Sequence, residues 1–326
     1  MGSHIRAIAS WVPERRVTND DLAKTVDTSD EWIRSHTGIG ARHIIDDADA
    51  VSDLGARAAK AALAKAGLQP SDIKIIVCAT ATPDYLGFPS TACVIQGKIG
   101  CEGVPAFDVT AACSGFIYGL AIIDSLLASL GGGHALLIAS EALSRLTDWS
   151  DRNTCVLFGD GSGAAVISSG MEGNRGVLAT ILKAYGKDAD ALYTEGSGTR
   201  KPYAAGMAVQ PPYIRMDCRR VYNFAVSENV ELLKEITAKA GIGLDDLDWI
   251  IPHQANARII QAAAKRLGIP EAKVFLNIED YANTSSATIP IALNDMENRG
   301  LLKKGQLLAI TGFGAGLTSG AAVIRW

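Results

Sequence analysis

The sequence predicts an α/β protein of two pseudo-symmetric halves, each stacking helices on a mixed sheet. Three observations predict it. First, segments of the chain return in the same order: Ala64-Lys65-Ala66-Gly67-Leu68 as Ala238-Lys239-Ala240-Gly241-Ile242, and Ser162-Gly163-Ala164-Ala165-Val166-Ile167 as Ser319-Gly320-Ala321-Ala322-Val323-Ile324. Such self-similarity fixes the architecture before any element is assigned. Second, each copy of the first segment is followed by an Asp and an apolar strand, Asp72–Val77 and Asp246–Ile251. Third, helical periods alternate with short continuous apolar runs, as in sheets covered on both faces. The halves divide at roughly 1–170 and 171–326.

The elements follow in order. Residues 52–66 are Ala-rich with a helical period, and 73–79 form a continuous apolar strand. A strand at Pro105–Val109 leads into an apolar helix over 113–130, which Gly131-Gly132-Gly133 stops before a strand from His134 to Ser140. In the second half, 221–240, 255–267 and 286–299 are helices, and 248–252, 306–311 and 319–325 are strands. The segment 186–213, rich in Gly, Pro and Tyr, has no period and is expected to cover the site as a long excursion. Gly2-Ser3-His4 resembles the scar of an expression tag and is set aside from the fold.

The chain has 326 residues, 48% hydrophobic and 20% charged, enough for a large core. A net charge of −4 gives no global attraction for nucleic acid or an anionic membrane. No apolar run reaches the ~18 residues of a membrane span, and no secretory signal opens the chain. The six cysteines, at 78, 93, 101, 113, 155 and 218, have no CxxC spacing, which argues against disulfides and zinc. Five read as buried small apolar residues. A cytoplasmic, reduced, soluble protein is the expectation, with no metal and no cofactor.

Cys113 is the exception among the thiols. It sits where a strand runs into a helix, and a helix N-terminus lowers a thiol's pKa. His253 ends the strand Trp249–Pro252, at the carboxyl end where open α/β sheets place ligands. Asn283 stands before the helix at 286–299, where an ordinary N-cap is the competing reading. At an offset of 170, Ala112-Cys113-Ser114 falls opposite Ala282-Asn283-Thr284. Two similar halves would then turn both residues towards one site.

The three residue types suit one chemistry. A thiolate accepts an acyl group, while a neutral His and an Asn amide donate hydrogen bonds to a thioester oxygen and stabilise an enolate. Papain-like proteolysis also uses Cys, His and Asn, but its local cysteine signature is missing. Gly312-Phe313-Gly314-Ala315-Gly316 has neither the spacing nor the Lys-Ser/Thr of a phosphate loop. It reads as backbone approaching the acyl group, with one N–H joining that of Cys113 in an oxyanion hole.

Over essentially its whole length the chain resembles the beta-ketoacyl-acyl-carrier-protein synthase III family, the initiating condensing enzymes of bacterial fatty acid synthesis. The likeness lies in Thr28-Ser29-Asp30-Glu31-Trp32-Ile33, Thr37-Gly38-Ile39, the Cys113 segment, Phe158-Gly159-Asp160-Gly161, His253-Gln254-Ala255-Asn256 with Arg258, Asn283-Thr284-Ser285 and the final Gly-rich loop. The resemblance implies a thiolase-like five-layer αβαβα fold and a homodimer. It implies that a short acyl-CoA, acetyl above all, acylates Cys113, and that malonyl-acyl-carrier protein is then decarboxylated beside His253 and Asn283. The N–H groups of Cys113 and Ala315 would hold the oxyanion. Trp32 and Arg152 would clamp the CoA adenine, and Phe88 would limit the acyl pocket of the partner subunit.

The carrier protein is acidic, and basic Arg258, Lys265 and Arg266 fit its docking; the resemblance adds Gln254, Ala255, Asn256 and Ala257 to that surface. Two positions depart from the family: His36 stands where better-known members carry Arg, and Ala315 replaces a Gly. A specialised relative with a longer or branched primer in secondary metabolism is the alternative. A thiolase would bring a second catalytic Cys near the last loop, a chalcone-synthase-like enzyme would lack the carrier-docking helix, and a non-catalytic subunit would have lost the nucleophile.

Overall fold

The protein is described by a computed structural model over residues 2–170, 172–196, 198, 199 and 212–326. Nine strands build two sheets: β1 Ser3–Trp11, β2 Ile73–Ala79, β3 Ala106–Val109, β4 His134–Ala142, β5 Asp160–Ser169, β6 Gly176–Ala184, β7 Trp249–Pro252, β8 Leu307–Gly314 and β9 Thr318–Arg325. Six helices cover them: α1 Val51–Ala66, α2 Thr91–Ile99, α3 Gly115–Ser129, α4 Cys218–Ala240, α5 Ala257–Leu267 and α6 Thr288–Asn298.

The first sheet runs β1-β5-β4-β2-β3 and the second β6-β9-β8-β7. Pairing directions agree strand by strand. The first two pairs of each sheet are antiparallel and the next is parallel, β4 with β2 and β8 with β7. Beside β7 a single parallel bridge, Ile250 to Val274, stands where the first sheet has β3. The interior strands are apolar on both faces; in β2 only Lys74 is exposed. That suits sheets with helices on either side.

Helices α1 and α2 cover the outer face of the first sheet, and α4 with α5 that of the second. Between the sheets lie α3 and α6, each touching strands of both. The layers are therefore αβαβα, with the largest core cluster in the middle. With its lead-in turn, α3 spans 18 residues apolar enough on average to cross a bilayer, against the expectation that no run is so long. Half of that window is buried, and Phe116, Ile117, Leu120 and Ile123 are inaccessible, so its apolarity serves the central layer.

Most predicted boundaries shift by a few residues; three differences carry a reason. Ser3 and His4 belong to the fold: they pair with Ser169 and Ser168 at the sheet edge and are buried. Strand β8 continues through the glycines to Gly314, because glycine's small size lets that backbone lie against the neighbouring turn. Of the cysteines read as buried, Cys93 and Cys218 are exposed. Residues 197 and 200–211 of the predicted excursion lie outside the described residues. On either side of them, Leu192–Thr194 pairs antiparallel with Ile214–Met216.

Candidate active site

Cys113 lies in a 3-10 turn, Ala112–Ser114, between β3 and α3. Ala112 has φ 44°, a left-handed conformation that costs a non-glycine residue about 1–3 kcal/mol. The turn brings the thiol into a cavity of about 650 Å³ that His253, Asn283 and Ala315 also line. Burial pushes the Cys113 thiol up to about 12. A hydrogen bond from the Ser285 side chain lowers it, the Glu141 carboxylate raises it, and its own backbone N–H lowers it again. The expectation of a helix-lowered thiol does not hold: removing the sulfur from water outweighs the helix end.

His253 prolongs β7; its backbone N–H donates to Thr311 O at 2.7 Å. Burial alone lowers the ring to about 3, so it is neutral at ordinary pH. Nδ1 lies 2.7 Å from Thr288 Oγ1, and the ring packs edge-on against Phe313 at 5.5 Å between centroids.

Asn283 is not a cap of α6, which starts at Thr288. Its backbone N–H donates to Leu157 O and its carbonyl accepts from Gly159, so it bridges to the segment before β5. Its Oδ1 accepts from Ser285 N–H at 2.9 Å. That leaves the amide NH₂ without a protein partner among the described residues, beside the cavity.

Gly314 fixes how closely the last loop approaches. A Cβ there would stand 2.6 Å from the Cys113 nitrogen. The Gly314–Ala315 backbone therefore passes directly beside the Cys113 N–H, the arrangement needed for two amides to share one oxygen.

The outer end of the cavity is lined by Trp32, His36 and Asn256. The Arg152 guanidinium lies 5.1 Å from the Trp32 ring centroid, and the His36 ring stacks on the same indole at 4.3 Å. Asn256 caps α5 and donates to His36 O at 3.0 Å, joining α5 to the helix Asp30–Thr37. The apolar wall includes Leu143, Leu146, Phe158, Leu192 and Ile214. Phe88 is 90% exposed, outside this lining, next to exposed Tyr85 and Leu86.

The residues assigned to carrier docking separate. Arg258, Lys265 and Arg266 are exposed on α5 and make no ion pair among the described residues. Ala255 lines the cavity, and Ala257 packs against Gly38. Gln254 does not belong with them: it is 1% exposed, its amide donates to Pro252 O and Phe275 O, and its Oε1 accepts from Asn277 N–H. Its polarity satisfies backbone at a strand end, so it cannot meet a partner.

Sequence reasoning missed two residues. Glu141, near the end of β4, is fully buried and accepts from Ala81 N–H, Thr82 Oγ1 and Ser286 Oγ at 3.0, 2.8 and 2.7 Å. Burial raises its carboxyl above the usual range against those hydrogen bonds. A charged residue closing an apolar run was the available signal. Thr288 had no signal in the sequence, because its partner lies 35 residues away.

Residues 107–186 match the family described as 3-oxoacyl-[acyl-carrier-protein] synthase III, and residues 237–326 match its C-terminal part. A beta-ketoacyl-[acyl-carrier-protein] synthase III of Sphingopyxis alaskensis is 46% identical over 98% of both chains. A crystal structure of the Aquifex aeolicus 3-oxoacyl-[acyl-carrier-protein] synthase III superposes with a TM-score of 0.92 at 43% identity, covering 100% of both chains. The priming beta-ketosynthase of the R1128 polyketide pathway gives 0.93 at 32% identity, covering 99% of this chain and 96% of that one. The chain thus belongs to the 3-oxoacyl-[acyl-carrier-protein] synthase III family, with its thiolase-like fold.

Proposed function

We propose that this enzyme condenses a short acyl-CoA with malonyl-acyl-carrier protein, releasing CoA, CO₂ and 3-oxoacyl-acyl-carrier protein, as the first step of fatty acid synthesis. The observation that carries the reading is the convergence on one cavity of Cys113, neutral His253 and the Asn283 amide, which has no partner among the described residues.

In the first half-reaction the Cys113 sulfur attacks the thioester carbonyl. The C–S bond to CoA breaks, and the thiol proton leaves, in net terms, with the departing CoA sulfur. The backbone N–H groups of Cys113 and Ala315 hold the tetrahedral oxyanion. The end of α3 and the Ser285 hydroxyl favour the thiolate against burial. In the second, the malonyl C–C bond breaks and CO₂ leaves with no proton required. The electron pair enters an enolate whose oxygen receives hydrogen bonds from His253 and Asn283. The enolate carbon then attacks the acyl group, and the Cys113 sulfur leaves as thiolate and takes a proton from solvent. The substrates supply every electron, so no cofactor takes part.

Trp32 and Arg152 would hold the adenine of CoA, and Arg258, Lys265 and Arg266, with Ala255, Asn256 and Ala257 at the mouth, the acidic carrier protein. A homodimer would bring Phe88 of each protomer over its partner's acyl chamber and favour acetyl. The halves 1–170 and 171–326 would descend from one duplicated unit. Six unpaired cysteines fit residence in the cytoplasm.

The test is product formation from malonyl-acyl-carrier protein and a panel of acyl-CoAs, with the wild type and Phe88→Ala. The wild type should prefer acetyl-CoA, and the variant should gain on longer chains. Medium chains used faster than acetyl by the wild type would overturn the primer assignment. No ketoacyl product from any primer would overturn the function.

A further inference from the structure

We propose that Thr288 is a positioning residue that holds His253 with its ring hydrogen on Nε2, making it a hydrogen-bond donor to substrate. The inference rests on the role given above to His253.

Thr288 is 2% exposed and His253 1%, so neither can turn to solvent for a partner. The Thr288 hydroxyl has one hydrogen and two acceptors in reach, His253 Nδ1 at 2.7 Å and Ser285 O at 3.0 Å. Ser285 O already accepts the backbone N–H of Thr288. The second separation is also long for O–H···O, which clusters at about 2.7–2.8 Å. The hydroxyl hydrogen therefore goes to Nδ1. A neutral imidazole carries one N–H, so Nε2 carries it. Nδ1 is turned to Thr288, and Nε2 is the nitrogen left for the cavity that His253 lines. Phe313 packed against the ring resists its rotation.

The same short segment orients the second donor. Ser285 N–H takes Asn283 Oδ1, which leaves the Asn283 NH₂ without a partner among the described residues. One turn, Asn283–Thr288, thus uses up an acceptor on each of the two side chains and leaves each as a donor. An enolate oxygen needs two donors; a bare Nε2 lone pair facing it would repel it.

The experiment uses full-length enzyme with ¹⁵N-labelled histidine, the His253 signals being identified by their loss in His253→Ala. Nitrogen shifts distinguish a protonated ring nitrogen from a bare one, and a hydrogen-bonded lone pair from a free one. The wild type should show hydrogen on Nε2 and a hydrogen-bonded, bare Nδ1. In Thr288→Val the Nδ1 signal should move to that of a free lone pair. Decarboxylation of malonyl-acyl-carrier protein should fall about 10- to 100-fold, the range for removing the outer partner of a metal-bound histidine. Loading of Cys113 from acyl-CoA should stay within about twofold, because only the second half-reaction uses this donor. Thr288→Ser should restore both the signal and the rate.

Hydrogen on Nδ1 in the wild type would overturn the proposal, whether or not the valine variant folds. So would an unmoved Nδ1 signal in the folded variant, or an equal fall in both half-reactions. Undiminished decarboxylation by His253→Ala would instead refute the role of His253, with the wild-type spectrum still deciding that of Thr288.

Discussion

At Ala112–Ser114 and again at Ser285–Ala287 a 3-10 turn opens one of the two central helices. Ala112 and Ser285 have φ of 44° and 50°. Ser114 N–H donates to Ala111 O and Ala287 N–H to Thr284 O, both at 3.1 Å. Cys113 in the first turn therefore corresponds to Ser286 in the second. Around the two residues the surroundings differ. One residue before the end of β4 stands Glu141, whose carboxylate accepts the Ser286 hydroxyl at 2.7 Å. At the matching end of β8, beside the same ladder, stands Gly314. One turn is filled by a side chain, while the other is left open to the cavity. The backbone device is common to both halves, and the residue closing the adjacent strand decides which turn can take a substrate.

Closing the open turn should have the largest effect. Gly314→Ala places a Cβ 2.6 Å from the Cys113 nitrogen. Acyl loading, followed by intact mass, should fall about 100-fold or more, as when an oxyanion donor is lost. Loading at the wild-type rate would mean that the close approach is not needed.

Neutralising the filled turn should act more gently. Glu141 raises the Cys113 thiol, so Glu141→Gln should speed iodoacetamide alkylation of Cys113 several-fold at one pH. Peptide mapping separates this thiol from exposed Cys93 and Cys218. The folded protein binds the Glu141 proton more tightly than the unfolded chain does. Its contribution to stability is therefore fullest below the ordinary carboxylate value of 4.5 and declines as pH rises towards the folded value. Urea unfolding should show the wild type losing stability relative to the non-titrating variant over that rise. A relative gain would contradict the assignment.

The smallest effect is expected far from both turns. Arg258→Glu reverses an exposed charge on α5 and should raise KM for malonyl-acyl-carrier protein a few-fold, leaving loading from acyl-CoA unchanged. Equal losses in both would place Arg258 elsewhere in the mechanism.

The turns also show what the sequence could and could not reveal. Apolar runs such as 73–79, broken only by Lys74, announced the strands, and matching segments announced two similar halves. The alignment of Cys113 with Asn283 was three residues out. Small residues surround both turns and match at several offsets, while the left-handed φ that marks the true register is carried by Ala112 and Ser285 instead of glycine. Cys113, His253 and Asn283, the candidates that line one cavity, drew notice because each type suits the proposed chemistry at a strand or helix end. Thr288 and the burial of Gln254 could not be picked out, because each depends on contacts across the fold, Thr288 to His253 and Gln254 to Phe275 O. Glu141 stands out as a charge closing an apolar run, but its partner Ser286 lies in the other half of the chain.

The most direct measurement is the site of acylation after incubation with acetyl-CoA, read by tandem mass spectrometry in the wild type, Cys113→Ala and Ser286→Ala. The account predicts one acetyl group on Cys113 in the wild type and in Ser286→Ala, and none in Cys113→Ala. Acetylation that persists in Cys113→Ala, or that appears on Ser286, would contradict it.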